Sequence, residues 1–151
     1  MKLACEAPLS WMEEVSKYTD YEYALAHHIL KDSEYVEHFR QALFEGKEVI
    51  LDNSAFELGS SFSNKKLIEA YDIITSGFDI VFVIAPDVLG DREKNHKSIV
   101  SFVSETTRLS IDNIYATLQG ESVVERVSSY KNLMKEGFTR FTIPNGWHVE
   151  N

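Results

Sequence analysis

Cysteine is almost absent: Cys5 is the only one in 151 residues. A lone thiol excludes a disulfide framework within the chain and a zinc site built from its cysteines. It fits a reduced, cytoplasmic setting. Basic residues are also scarce. Fifteen Lys and Arg stand against 24 Asp and Glu, a formal net charge of -9. That balance disfavours a large phosphate-gripping surface, which needs clustered cations. It leaves room for one basic strip or for a small ligand. Long hydrophobic runs are missing too. None approaches the roughly 18 apolar residues of a membrane span, so no membrane partner is expected. The N-terminal MKLACEAPLSWMEE lacks the apolar core of a signal peptide. The chain has no G-x-G-x-x-G or P-loop for a nucleotide cofactor and no G-x-S-x-G elbow around Ser54. It has no H-x-H, H-x-x-E-H or D-x-D metal spacing either. Neither a cofactor nor a metal is expected. No Pro/Gly/Ser-rich linker divides the sequence, which reads as one domain over 1–151.

What is present is a core-forming composition, 44% hydrophobic and 12% aromatic. Short apolar runs alternate with longer segments of helical period. Strands are expected at Lys47 to Leu51, Ile80 to Ala85, Ile114 to Leu118 and Phe138 to Ile143, with weaker candidates at Lys2 to Cys5 and Tyr21 to Ala26. The continuous run IVFVIA suits a strand covered on both faces. Ser33 is placed to cap a helix with Val36, Phe39 and Leu43 inward, ending at Gly46. Asn64 caps the next, with Leu67, Ile68, Tyr71 and Ile74 inward and Gly77 as C-cap. Asp91 opens a third, with Ile99, Phe102 and Val103 inward. Ser122 to Glu125 fits a capping box, followed by a stripe of Val127, Tyr130 and Met134 up to Gly137.

The strand ends near Asp52, Asp87, Gln119 and Pro144 lie 35, 32 and 25 residues apart (87−52, 119−87, 144−119). This spacing suits successive βαβ crossovers of roughly 30 residues. The expected fold is α/β with parallel (β/α) units: an open sheet, or an incomplete, shortened TIM-type barrel of about six β/α repeats. Eight repeats would need about 250 residues.

In such folds, function collects at the carboxyl ends of the strands. Those ends carry Asp52-Asn53-Ser54-Ala55-Phe56, then Pro86-Asp87, then Gln119-Gly120-Glu121, then Pro144-Asn145-Gly146. Each has an ordinary structural explanation as well. Asx residues cap turns, Asp91 reads as a helix cap, and Phe56 reads equally as core. His27 and His28, at the end of the second strand, read as surface or satisfied core. Several polar strand ends in one chain nevertheless point to a site with two carboxylates, an amide and one or two imidazoles.

VILDNSAFE resembles the strand-DSGGFQ segment of tRNA-guanine transglycosylases and of their relatives that place 7-deazaguanines in DNA. VIAPDVLGD resembles the family's next strand-end acid, IYATLQGE its VQGG segment, and HHILKD, faintly, its TYHLLL segment. The ordered set spans about residues 20 to 146. The resemblance implies a (β/α)8-type barrel and exchange of a guanine-type base, queuine or another 7-deazaguanine, on tRNA or DNA. It implies Asp52 as catalytic general acid/base and Phe56 as the ring stacked on the base. Asp87, Gln119 and Gly120 would contact the base edge, with Asn53 and Ser54 beside them in the substrate site. Ser54 and Ala55 stand where the family has two glycines, Glu57 where it has Gln, and Glu121 where it has the second Gly. The family's nucleophilic Asp, zinc cysteines and basic segment would fall beyond residue 151. The alternative expectation is therefore a non-catalytic barrel fragment, or a base-binding module that forms homo-oligomers through exposed sheet edges.

Overall fold

The computed structural model describes residues 3–59, 62–75 and 81–144, with the side chain of Phe56 left outside the description. The chain divides into two compact units, Met1–Val83 and Ile84–Asn151.

The first unit alternates strands and helices. In chain order they are β1 (Ala4–Cys5), α1 (Leu9–Ser16), β2 (Tyr21–Leu25), α2 (Ala26–Ile29), α3 (Ser33–Phe44), β3 (Glu48–Asp52), α4 (Ala55–Leu58), α5 (Asn64–Thr75) and β4 (Val81–Ile84). The pairs β1–β2, β2–β3 and β3–β4 are all parallel, with Leu25 opposite Asp52 and Ile50 opposite Phe82. Side chains alternate along a strand, and the burial follows. Glu22, Ala24, Val49 and Leu51 are buried, whereas Tyr21, Tyr23, Glu48, Ile50 and Asp52 are only half-buried. Helix α3 packs on β2 and β3, and Phe39, Leu43, Leu67 and Ile74 fill the core with them. Each fully buried apolar side chain of this size contributes about 1.5–3 kcal/mol.

The helix starts refine the expectation by one residue. Asp32, not Ser33, caps α3, accepting from the amides of Glu34 and Tyr35. Ser63, not Asn64, offers its hydroxyl to α5, at 3.4 Å from the Lys66 amide. In both places the residue just upstream can turn its oxygen back onto the first free N–H groups. The short helices α1, α2 and α4 are additions to the expected set. Gly77 and Ile80 lie outside the described residues.

Buried Glu22 would be costly alone, but it is held by three groups. It accepts from the Ser16 hydroxyl at 2.5 Å and from Lys47 Nζ at 2.9 Å, and His38 Nε2 lies 3.4 Å away. Lys47 also donates to the Ser16 carbonyl at 2.9 Å and to its hydroxyl. Burial pushes the Glu22 carboxyl up. The hydrogen bonds from His38, Ser16 and Lys47, and the Lys47 charge, outweigh it and bring it to about 2.

The second unit begins at the last residue of β4. It continues with α6 (Arg92–Glu105), a 3-10 turn (Ile111–Asn113), β5 (Ile114–Thr117), α7 (Val123–Lys135) and β6 (Arg140–Thr142). β5 and β6 pair in parallel, with Ala116 opposite Phe141. The Ala85 amide donates to the Tyr115 carbonyl at 3.0 Å. Ile99, Phe102, Ile114, Ala116, Leu133 and Phe138 form the core. Asp91 caps α6 through the Lys94 amide at 3.0 Å, and Ser122 caps α7 through the Glu125 amide at 3.3 Å. Helix α7 departs from the expected stripe. Val127, Tyr130 and Met134 are 45%, 38% and 50% exposed, and Ser129 and Leu133 face inward instead. The apolar period was right, but the helix turns a different face to the core.

Six strands stand among the described residues, and every described pairing is parallel. The chain is α/β.

Candidate functional site

The first unit builds its polar rim at the carboxyl ends of β1, β2 and β3. Asp52 is the last residue of β3. Its Oδ2 accepts the Tyr23 hydroxyl at 2.7 Å, and its Oδ1 accepts the Ser54 amide at 2.6 Å. Burial first, and then the Asp52 charge, push the Tyr23 phenol upward. Tyr23 therefore stays the donor and Asp52 the acceptor. Asn53 and Ser54 are buried. The Asn53 side chain accepts the Ala55 amide at 2.9 Å, and the Ser54 hydroxyl accepts the His27 amide at 3.3 Å. Among the described residues, Ser54 alone takes a positive φ without being glycine, at +57°. An L side chain there costs about 1–2 kcal/mol. The turn swings the chain sharply into α4, where Phe56 sits. The Phe56 side chain lies outside the described residues.

Glu6 follows β1 and shares this rim. Partial burial raises its carboxyl, and the charges of Glu57 and Asp52 raise it further, against a small opposing effect of His28. The His27 and His28 rings stack with centroids 4.1 Å apart. Burial and the neighbouring His28 lower the His27 pKa, and its Nδ1 has no hydrogen-bond partner among the described residues. The His27 imidazole, its charged form disfavoured, lies near the Glu57 carboxylate and suits proton traffic or the reception of N–H donors.

The second unit holds Asp87 and Gln119, which are 6% and 4% exposed. The Gln119 amide nitrogen donates to Asp87 Oδ2 at 2.7 Å, and its oxygen accepts the Gly90 amide at 3.2 Å. Asn95 works beside them, fully buried. Its oxygen accepts the Val88 amide at 3.0 Å, and its nitrogen donates to the Thr117 carbonyl at 2.8 Å. Two carboxamides thus pin the loop after β4 to the end of β5, and Asp87 is fixed by that clamp. Gly120 has φ +149°, and a Cβ there would lie 2.9 Å from Glu125 Cβ and 3.3 Å from the Arg126 amide. The Arg126 guanidinium closes the turn on the Gly120 carbonyl at 2.8 Å. Asp91, by contrast, is a cap and an exposed ion pair with Lys94.

The structure thus ties Asp52, Asn53 and Ser54 into one turn, and Asp87 and Gln119 into one pair. Asn145 and Gly146 lie outside the described residues. Tyr23, Tyr35, Glu6 and Asn95 were missed by sequence reasoning. Only Asn95 had a local signal: a polar residue on the inward stripe with Ile99 and Phe102, at helical spacing. No three metal-ligating side chains gather among the described residues, and no helix there is long and apolar enough to cross a membrane. No protein-family model matches the chain. No curated protein matches it significantly.

Proposed function

We propose that the chain is a shortened, TIM-type (β/α) barrel of the transglycosylase kind. It binds or exchanges a guanine or 7-deazaguanine base of a nucleic acid or nucleoside, in the cytoplasm and without a cofactor. The observation that carries this reading is conformational. Ser54 stands where the resembling family has glycine, and it takes the left-handed backbone that glycine takes freely. Gly120, matched to the first glycine of the family's QGG, has a positive φ and no room for a Cβ. Backbone of the kind glycine adopts, at both positions the resemblance matches to glycine, supports this reading.

In this reading Asp52 is the general acid/base, with Tyr23 as the proton donor that orients it. Asp87 accepts the adjacent N–H donors of a guanine-type edge, and Gln119 holds Asp87 in place. Breaking a glycosidic bond creates oxocarbenium character that a carboxylate stabilises. Calorimetry with guanine, 7-deazaguanines and their nucleosides tests the proposal, and no binding by folded protein would end it. Asp87→Asn is expected to weaken binding about tenfold or more, whereas Asp91→Asn leaves it unchanged. Equal effects would mean that a capping residue had been taken for a site.

A second reading is a non-catalytic, self-associating module. The exposed face of α7 favours it: Val123, Val127, Tyr130 and Met134 form a helical stripe, each at least 38% exposed.

A further inference from the structure

A cavity of about 420 Å³ opens in the first unit, at the carboxyl side of β1 and β2. Ligand pockets run from about 300 Å³ upward, so the space suits a small organic molecule. Leu9 and Leu25 give it apolar surface, and Glu6, Asp32, His28 and Tyr35 give it polar groups. Among the described residues no Lys or Arg lines it. The charge around it is one-sided. Beyond the two lining carboxylates, those of Asp52 and Glu57 act on both Glu6 and Tyr35. Two hydrogen-bonding capacities are also left open there. Tyr35 is 4% exposed, and its oxygen accepts the Leu25 amide at 2.9 Å. The hydroxyl proton of Tyr35 has no acceptor among the described residues. Burial pushes this phenol up to about 12, so the proton stays on it. A buried donor of this kind calls for a partner. Asp32 receives the Glu34 and Tyr35 amides on Oδ1. Its Oδ2 has no hydrogen-bond partner among the described residues.

We propose that this cavity binds a small organic cation: a protonated amine that also carries a neutral oxygen acceptor, as an amino alcohol does. The ammonium meets Glu6 and Asp32, the oxygen accepts the Tyr35 hydroxyl, and the alkyl body lies against Leu9 and Leu25. Features of the wall select against other occupants. An anion meets repulsion from the carboxylates. A neutral molecule leaves those carboxylates without counter-charge. A bare metal ion lacks ligands, since no three metal-ligating side chains gather among the described residues. A plain alkylamine leaves the Tyr35 proton unmet. Positive charge also relieves the repulsion that Glu57 and Asp52 exert on Glu6. The cavity shares no residue with the Asp87–Gln119 pair, so amine binding here does not depend on base recognition there.

The test is calorimetric titration of the full chain with ethanolamine and aminopentanol, against pentylamine, pentanediol and hydroxypentanoate. Wild type and variants are each checked for folding by circular dichroism. At least one amino alcohol should bind wild type, and the diol and the hydroxy acid should not. Pentylamine should bind about threefold or more weaker than aminopentanol. Glu6→Gln and Asp32→Asn, the second of which keeps an oxygen for the helix cap, should each lose about three- to tenfold in affinity. Tyr35→Phe should erase the preference for aminopentanol over pentylamine and leave pentylamine unchanged, a pattern that a merely structural role would not give. Because Tyr35→Phe also removes the acceptor of a buried amide, the exposed Glu6→Gln keeps the test informative if the first variant unfolds. Glu69→Gln, at an exposed acid on α5, and Asp87→Asn should leave amine binding unchanged. A loss with Glu69→Gln as large as with Glu6→Gln would mean diffuse attraction to an acidic surface and overturns the site. Equal binding of aminopentanol and pentanediol, or failure of every amine to bind folded wild type, overturns it too. Neither result bears on the proposed function, which the guanine-type titration tests separately.

Discussion

At the scale of single residues, buried charge decides most. Glu22 ionises at about 2 in the folded chain, against an ordinary value of 4.5. A depressed carboxyl stabilises the fold above its unfolded pKa, and that stability is lost as pH falls toward the folded value. Chemical denaturation between pH 5 and pH 2 is therefore expected to show a loss of up to about 3 kcal/mol from this group. In Glu22→Gln that part of the pH dependence should vanish. At pH 7 the same variant should be less stable by about 2–3 kcal/mol, since Lys47 loses its ionic partner. Asp52, Asp87 and Gln119 were legible as strand-end residues because polarity interrupts apolar runs there. Tyr23 was not, because its partner Asp52 lies 29 residues away on the next strand, a neighbourhood only folding creates. The placement of Asp91 as a cap needed nothing beyond local spacing, and it holds.

Secondary-structure elements set where those side chains sit, and two positions carry that job in the second unit. Asn95 ties α6 to the loop after β4 and to the end of β5, through Val88 and Thr117. Asn95→Ala should destabilise by about 2–3 kcal/mol, read as a shift in the urea midpoint, because a buried and a half-buried backbone group lose their partners. Gly120→Ala should cost at least ~1 kcal/mol, through both the strained φ and the 2.9 Å approach to Glu125 Cβ. A Gly120→Ala variant as stable as wild type would remove the packing argument for this glycine. Periodicity located β2 to β6 and the four longest helices to within a residue or two. It missed α1, α2 and α4, which are one or two turns long and leave too short a pattern to read.

For the molecule as a whole, the exposed stripe of α7 bears on assembly. If Val123, Val127, Tyr130 and Met134 meet a second copy, sedimentation velocity at micromolar concentration should show a dimer. The paired change Val127→Asp and Met134→Asp should return it to monomer without unfolding it, since both side chains already face solvent. A monomeric wild type would remove the self-association reading. Neither outcome touches the binding proposals, whose residues lie elsewhere.

By itself the sequence determined the α/β class, the parallel alternation, the helix caps at Asp91 and Ser122, and the polar strand ends. All of these follow from patterns within one or two turns or one strand, where neighbours in sequence are neighbours in space. Tertiary structure decided which face of α7 is buried and that Gln119 and Asn95 clamp a loop. It also decided that Tyr23 meets Asp52 and that Glu6, His28 and Tyr35 line one cavity. Those relations join residues on different strands and helices, and packing alone brings them within hydrogen-bonding reach.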